Sequence, residues 1–168
     1  MGTKEHKDGA PDKVKLGIIS ISTTRTIDSD ISGHWMARSA KKEGHEVAFH
    51  QVVPDEKEAI VGALLDAVES HAPQVVLLTG GTGISEKDVT IEALRPLFDK
   101  ELTAFSHLFA QLSFEEIDSA AILSRATAGV IGKVIVFCMP GSLNACKLAC
   151  KALIFPELGH LVRHAFEP

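Results

Sequence analysis

Short apolar runs alternate along the chain with stretches in which apolar residues recur at helical spacing. The runs predict strands, and they cover residues 14–22, 46–53, 75–78 and 133–138. The helical spacing predicts helices at about residues 34–42, 56–70, 86–97, 143–153 and 156–164. This alternation is typical of a three-layer αβα, doubly wound α/β fold with a mostly parallel sheet in a single domain.

The stretch between the third and fourth runs is less regular. Residues 99–111 suit either a strand or a helix, so both alternatives stay open. Residues 113–119 favour a short helix, and residues 120–130 favour an extended segment. An apolar cluster in this stretch has no obvious place within one domain: Phe105, Leu108 and Phe109. An exposed apolar cluster usually marks an interface, which favours a homo-oligomer.

A glycine loop follows the third run directly and consists of Gly80, Gly81, Thr82 and Gly83. Glycines after a buried strand let the backbone approach an anion closely with its N–H groups exposed. The loop is not a P-loop, because no Gly-Lys-Ser/Thr follows at the required spacing. The loop also lacks Gly-x-Gly-x-x-Gly, since Glu86 stands where the third glycine belongs. We therefore predict a phosphate-binding backbone loop of another kind.

Two acidic residues near this loop have two interpretations each. Ser85 and Asp88 approximate a capping box, in which Ser85 begins a helix and Asp88 serves its first turn. Asp55, with Glu58 three residues on, has the same interpretation for the preceding helix. Alternatively, Asp55 and Asp88 share a divalent cation that bridges bound phosphates. Both alternatives are open on the residues alone.

In a doubly wound sheet, ligands bind at the carboxyl ends of the strands. Four segments are predicted to meet at that rim: Asp30 to Gly33, Asp55, Gly80 to Asp88, and Pro140 to Ser142. By default Asp30 and Ser32 cap the helix that follows them. Arg125 or Lys87 contacts a phosphate if its side chain faces the same rim.

Composition excludes several classes of protein. A net charge of -5 over 168 residues gives no surplus of positive charge for nucleic acid or an acidic membrane surface. The longest apolar runs fall far short of a membrane span. His160 and His164 lie four residues apart without a third ligand nearby, so zinc is not expected. A Gly-x-Ser-x-Gly elbow is absent, and nucleophilic catalysis by the protein is unsupported.

The termini and cysteines indicate the compartment. Residues 1–12 are polar and lack an apolar core, so we expect a flexible tail and not a signal peptide, followed by one domain over residues 13–168. Cys138, Cys146 and Cys150 are odd in number and lack Cys-x-x-Cys spacing. This usage fits a reducing cytoplasm.

The run from Leu78 to Leu94, with Val53-Pro-Asp-Glu before it and Met139-Pro-Gly-Ser after it, resembles the MoaB/MogA family of molybdenum cofactor biosynthesis proteins. The resemblance extends from about Lys15 to the C-terminus and includes Asp30-Ile-Ser-Gly. The turn at Pro140 and the stretch from Ser113 to Arg125 are more similar to the MoaB branch.

The resemblance implies a molybdopterin adenylyltransferase, in which the terminal phosphate of molybdopterin attacks the α-phosphate of ATP with help from Mg²⁺. Asp55 and Asp88 would be the catalytic and Mg²⁺-binding carboxylates. The implied nucleotide and molybdopterin contacts are Ser32, Gly33, Gly80, Gly81, Thr82, Gly83, Ser85, Thr90, Ser113, Ser124, Arg125, Pro140, Gly141 and Ser142. The family also implies a trimer or hexamer and contact with other molybdenum cofactor biosynthesis proteins.

The chain departs from the family pattern at a few positions. Ser106, His107 and Ala110 replace a glycine, an acid and an arginine, and Cys138 stands where MogA-type members tend to have Asn. These changes bear on substrate affinity or turnover more than on the fold. The alternative is a non-catalytic module of the same fold that binds molybdopterin or a partner protein.

Overall fold

A six-stranded mixed sheet forms the centre of the protein in the computed structural model, which describes residues 9–167. The strands of this described part are β1 (Lys15–Ile21), β2 (Glu46–Val53), β3 (Val75–Thr79), β4 (Lys100–Glu101), β5 (Thr127–Ile131) and β6 (Val134–Met139). Their order is β2-β1-β3-β6-β5-β4. Strands β2, β1, β3 and β6 are parallel, whereas β5 and β4 are antiparallel to their neighbours. The predicted mostly parallel, doubly wound sheet is confirmed.

Helices cover both faces of the sheet. The α-helices are α1 (Ile31–Lys42), α2 (Lys57–His71), α3 (Thr90–Leu94), α4 (Thr103–Ile117), α5 (Leu143–Leu148) and α6 (Leu158–Phe166). Short 3₁₀ segments cover residues 95–97, 118–123 and 155–157, and a π-helical segment covers Ala149–Ile154. The helices are joined to the strands by the short connections expected of this architecture.

Two hydrophobic cores make the domain a three-layer sandwich. One core packs Leu77 and its neighbours on β1, β3 and β6 against α1, α4, α5 and α6. The other packs Val76 and Leu78 against α2 and α3. Successive residues of β3 therefore enter opposite cores, and all five of its residues are buried. Burial on both faces explains why this strand is a continuous apolar run and not an alternating one.

Residues 99–111, for which the sequence suited either a strand or a helix, are mostly helical. After the two-residue strand β4, helix α4 runs unbroken to Ile117, so the predicted separate short helix at residues 113–119 is wrong. Phe105 and Phe109 are 7% and 1% exposed and pack in the core with Phe137, while Leu108 stays exposed. These buried aromatics do not form the surface cluster that motivated the expected oligomer, which stays a prediction based on the family resemblance.

The predicted extended segment at residues 120–130 is only partly extended. A 3₁₀ helix occupies Asp118–Leu123, and the strand β5 begins at Thr127. Strands β5 and β6 form a hairpin in which Ile131 pairs with Val134 across the turn that contains Gly132, whose φ is +59°. This hairpin gives the sheet its antiparallel edge.

Part of the predicted tail contacts the domain. Residues 1–8 of the predicted tail lie outside the described residues. Within residues 9–12, a Cβ atom at Gly159 would lie 2.4 Å from the Pro11 carbonyl oxygen, so the backbone of Pro11 crosses α6 closely. None of the helices between residues 9 and 167 has the length and apolar character needed to cross a membrane.

Candidate active site

A cleft lies at the carboxyl ends of the parallel strands, where the chain reverses its direction of winding. The sheet grows from β1 to β2 on one side and from β3 to β6 on the other, so the switch point lies between β1 and β3. The cleft is lined by Ile21, Ser22, Thr24, Arg25, Asp55, Gly80, Gly81, Thr82, Gly83, Asp88, Leu123, Pro140 and Gly141. Three of the four predicted rim segments therefore meet here.

The glycine loop has a backbone that only glycine adopts easily. Gly80 and Gly81 have φ angles of +101° and +63°. A Cβ atom at Gly80 would lie 2.3 Å from the Ile21 carbonyl oxygen, and one at Gly81 would lie 2.4 Å from Thr90 Oγ1. A side chain at either position would collide with the end of β1 or with α3. The two glycines are therefore required by space as well as by conformation.

Thr90, the first residue of α3, holds the glycine loop through two hydrogen bonds. Its backbone N–H donates to the Gly81 carbonyl at 2.9 Å, and its hydroxyl donates to the Gly80 carbonyl at 2.8 Å. Both carbonyl groups are thereby occupied within the fold. None of residues 9–167 accepts a hydrogen bond from the N–H groups of Gly81 and Thr82. Binding of an anion by these N–H groups stays a prediction.

Asp88 does not belong to a helix cap. Helix α3 begins at Thr90 with Val89 as its N-cap residue, so the predicted helix start at Ser85 is wrong. The carboxylate of Asp88 instead accepts hydrogen bonds from the Ser85 N–H at 2.9 Å and the Ser85 hydroxyl at 2.6 Å. A Cβ atom at Gly83 would lie 2.7 Å from Asp88 Oδ2, so the carboxylate lies directly against the glycine loop.

The pKa of Asp88 is lowered. The hydrogen bond from the Ser85 hydroxyl is the main cause, partial burial opposes it, and backbone hydrogen bonds from Ser85 and Gly83 add to the lowering. Arg125 contributes a favourable charge. Asp88 therefore carries its negative charge at neutral pH.

Asp55 joins two loops of the cleft. Helix α2 begins at Lys57 with Glu56 as its N-cap residue, so the capping interpretation of Asp55 is wrong. Asp55 Oδ2 accepts a hydrogen bond from the Thr23 N–H at 2.7 Å. Its Oδ1 would lie 3.5 Å from a Cβ atom at Gly81. Asp55 and Asp88 therefore flank the glycine loop, Asp55 next to Gly81 and Asp88 next to Gly83.

A buried network supports the cleft beneath the loop that follows β1. Asp30 is 0% exposed and caps α1, as predicted, by accepting from the Gly33 N–H at 3.1 Å. Asp30 also accepts from the Ser20 hydroxyl at 2.5 Å and from His50 Nε2 at 2.7 Å. Burial by itself raises the pKa of Asp30, but these hydrogen bonds outweigh burial and lower the pKa to about 2.

Ser32, at the start of α1, connects this network to the cleft. The Ser32 hydroxyl donates to the Gly141 carbonyl at 3.0 Å. Gly141 in turn packs on the glycine loop, since a Cβ atom there would lie 3.2 Å from the Gly80 Cα atom. The first turn of α1 thus holds the turn after β6 against the loop after β3.

Several of the predicted contact residues do not line the cleft. Arg125 forms an ion pair with Glu92 and donates to the Gly83 carbonyl at 3.2 Å, so it braces the glycine loop from outside. Ser142 caps α5 by accepting from the Ala145 N–H. The remaining predicted contacts outside the cleft lining are Ser32, Gly33, Ser85, Thr90, Ser113 and Ser124. Their contact with a ligand stays a prediction.

Ser113 lies outside the cleft lining. It is 4% exposed within α4, a helix that does not contribute to the cleft lining. Conversely, four residues that line the cleft were not predicted from the sequence: Ser22, Thr24, Arg25 and Leu123. The first three belong to the polar loop directly after β1. The position of this loop at the end of a predicted strand could have identified them as cleft residues.

The fold and the cleft together define a doubly wound α/β protein with its site at the switch point of the sheet. The family model described as "Probable molybdopterin binding domain" matches residues 17–160, and the chain belongs to this family. The expected family is therefore confirmed.

Relatives of known name agree with this assignment. The molybdenum cofactor biosynthesis protein B of Bacillus subtilis is 49% identical over 97% of this chain and 96% of the relative. The molybdopterin adenylyltransferase of Pyrococcus furiosus is 43% identical over 99% of this chain and 100% of the relative. A solved structure of a molybdenum cofactor biosynthesis protein B has a TM-score of 0.89 and 46% identity, covering 93% of this chain and 98% of that one.

Proposed function

We propose that this protein acts in molybdenum cofactor biosynthesis by transferring the adenylyl group of ATP to molybdopterin, with release of pyrophosphate. The name of the Pyrococcus furiosus relative supports this activity. The observation that carries the proposal is the pair Asp55 and Asp88 on either side of the glycine loop in one cleft. A backbone anion site with carboxylates beside it suits the joint binding of phosphates and a cation.

The residues in the cleft fit Mg²⁺. No group of three or more His, Cys, Asp and Glu side chains in the described part of the chain could hold a metal by itself. Mg²⁺ is usually held by one or two carboxylates together with substrate phosphates and water. Asp55 and Asp88 supply that donor set, with Asp88 the stronger candidate because its carboxylate lies closer to the glycine loop. When bound, the ion offsets the negative charge of the phosphates.

The protein itself needs no nucleophile for this reaction. The attacking group is the terminal phosphate of molybdopterin, which is already an anion and needs no general base. The three cysteines are buried, and burial raises the pKa of each thiol, to about 12 for Cys138. The chain contributes binding and orientation: the N–H groups of Gly81 and Thr82 for phosphate oxygens, and the carboxylates for the ion.

The alternative is a module that binds molybdopterin or a partner protein without turnover. The name of the Bacillus subtilis relative does not state an enzymatic activity. The departures from the family pattern weigh little for this alternative, because Ser106, His107 and Ala110 lie on α4 and Cys138 is buried in β6. None of the four lines the cleft.

Assembly and location complete the proposal. We expect a homotrimer or homohexamer in the cytoplasm, with contacts to other molybdenum cofactor biosynthesis proteins. Light scattering at micromolar protein concentration tests the assembly, and a mass near that of the 18.0 kDa chain would contradict it.

The test of the activity is direct. Purified protein is incubated with ATP, Mg²⁺ and molybdopterin, and adenylylated molybdopterin and pyrophosphate are measured. We expect both products in equal amounts and neither without Mg²⁺. Molybdopterin that binds without product would instead establish the module.

A further inference from the structure

The polar loop after β1 brings the positive charge of Arg25 to the cleft. Among the described residues that line the cleft, Arg25 alone carries a positive charge, whereas Asp55 and Asp88 are negative. Without a ligand or ion, the cleft would therefore be net negative. A site for polyphosphate needs positive charge as well as backbone donors.

The backbone that carries Arg25 is held in place. The Ser22 hydroxyl accepts hydrogen bonds from the N–H groups of Thr24 at 3.2 Å and Arg25 at 3.1 Å. The Ser22 N–H donates to the Val53 carbonyl at 2.8 Å, at the end of β2. Asp55 holds Thr23, the residue between Ser22 and Thr24, by accepting a hydrogen bond from its N–H group. The loop is thereby tied to the same carboxylate that flanks the glycine loop.

The guanidinium group of Arg25 is largely free to bind a ligand. Its Nη1 donates to the Gly141 carbonyl at 3.3 Å, a long hydrogen bond, and that carbonyl also accepts from Ser32. No carboxylate among residues 9–167 forms an ion pair with Arg25. Arg125, on the other side of the glycine loop, is already neutralised by Glu92. Of these two arginines, Arg25 has the unused charge and most of its five N–H donors available.

We propose that Arg25 is a further catalytic residue. During adenylyl transfer, its guanidinium group breaks its hydrogen bond to the Gly141 carbonyl and binds the phosphates of the nucleotide. This inference rests on the proposed function. In the step, a bond forms between the molybdopterin phosphate oxygen and the α-phosphorus. The bond from that phosphorus to the bridging oxygen breaks, and pyrophosphate leaves with the electron pair. Arg25 gives no proton and stabilises the negative charge of the phosphates in the transition state.

The test compares Arg25→Ala, Arg25→Lys and Arg38→Ala. Arg38 lies exposed on α1 and is absent from the cleft lining, which makes it the matched control. Steady-state product formation gives kcat and KM for ATP, and calorimetry gives the affinity for Mg-ATP. We expect Arg25→Ala to lower kcat at least about a hundredfold, as loss of one preorganised donor does elsewhere, while Arg38→Ala behaves as wild type.

Two further measurements separate catalysis from structure. Arg25→Lys should recover less than about a tenth of the lost rate, because an ammonium group lacks the planar pair of donors. Guanidinium ion at millimolar concentration should partly restore Arg25→Ala, which a purely structural role does not predict. The thermal unfolding temperature should stay within a few degrees of wild type.

The outcomes distinguish this inference from the proposed function. If wild type forms product and Arg25→Ala retains a kcat within about twofold of it, the inference is overturned and the adenylyltransferase stands. If wild type forms no product, the proposed function fails and calorimetry decides alone. Weaker Mg-ATP binding by Arg25→Ala, by about tenfold or more, then supports a phosphate contact, and unchanged affinity overturns it.

Discussion

Asp88→Asn removes one charge from the cleft while keeping the size and shape of the side chain. In the wild-type protein, Asp88 Oδ2 accepts both hydrogen bonds from Ser85. An asparagine can keep its carbonyl oxygen on these two donors and place its NH₂ group where Oδ1 was. The turn between the glycine loop and α3 should therefore persist.

The expected cost in stability is small. Hydrogen bonds to a carboxylate become hydrogen bonds to an amide, and Asp88 is only half-buried, which weakens the difference. We expect the free energy of unfolding to fall by about 1 kcal/mol. For a chain of this size, that corresponds to a decrease of about 2–4 °C in the thermal midpoint.

The expected cost in activity is much larger. An amide is a poor ligand for Mg²⁺ in comparison with a carboxylate, and Asp55 would be the one carboxylate left in the described cleft lining. We expect adenylyl transfer to fall at least about a hundredfold, which is roughly 2.7 kcal/mol in the barrier. The ratio of the two effects separates a role in the reaction from a role in folding.

The assay measures adenylylated molybdopterin at several Mg²⁺ concentrations, with thermal unfolding of each variant alongside. Asp66→Asn is the control, because Asp66 is exposed on α2 and is absent from the cleft lining. Near-normal turnover by Asp88→Asn at limiting Mg²⁺ would show that the carboxylate only orders its turn. The assignment of catalysis to this cleft would then be wrong.

Three further predictions test the loop and the network beneath it. Gly81→Val should abolish ATP binding measured by calorimetry, because its Cβ atom has no room, while Lys87→Ala should weaken binding far less; the reverse ranking would contradict the backbone site. Thr90→Val should lower the free energy of unfolding by about 1–3 kcal/mol in urea titrations, because the Gly80 carbonyl loses its partner. Because the pKa of Asp30 is lowered to about 2 in the folded state, its stabilisation is complete above its ordinary value of 3.8 and is lost as the pH falls towards 2. Between pH 5 and pH 2, the free energy of unfolding of the wild type should fall by about 2 kcal/mol because of Asp30, and Asp30→Asn should not show this fall.

The strands were predictable because burial on both faces leaves a strong pattern. The run at residues 75–78 is apolar at every position, and β3 lies in the middle of the sheet. Helix α4 was harder, since Phe105 and Phe109 face the core while Phe114 lies exposed on the same helix. Apolar residues on several faces blur the helical period. The antiparallel hairpin of β5 and β6 depends on pairing between strands, which a single run of residues does not encode.

The site was predictable in its location but not in its local structure. The glycine loop and the rim positions follow from strand ends alone. Ser85 and Asp88 fit a capping box by spacing, yet the same two residues close a turn in which the carboxylate accepts from the serine. The contact of Asp55 with the Thr23 N–H joins residues 32 positions apart and leaves no local pattern. The observed starts of α2 and α3 exclude the capping alternative for both aspartates, and the shared cation stays a proposal.

The cleft draws on four strand ends, from Ser22 after β1 to Gly141 after β6, so its residues are scattered over most of the domain. A fragment that lacks β6 would lose one wall of the site together with one of the two strands that pair with β3. Ligand affinity is therefore thermodynamically linked to unfolding of the whole domain. A ligand at a hundred times its Kd should add about 2.7 kcal/mol to the free energy of unfolding. Thermal shift with ATP and with molybdopterin, each added alone, would then rank the two ligands without any turnover.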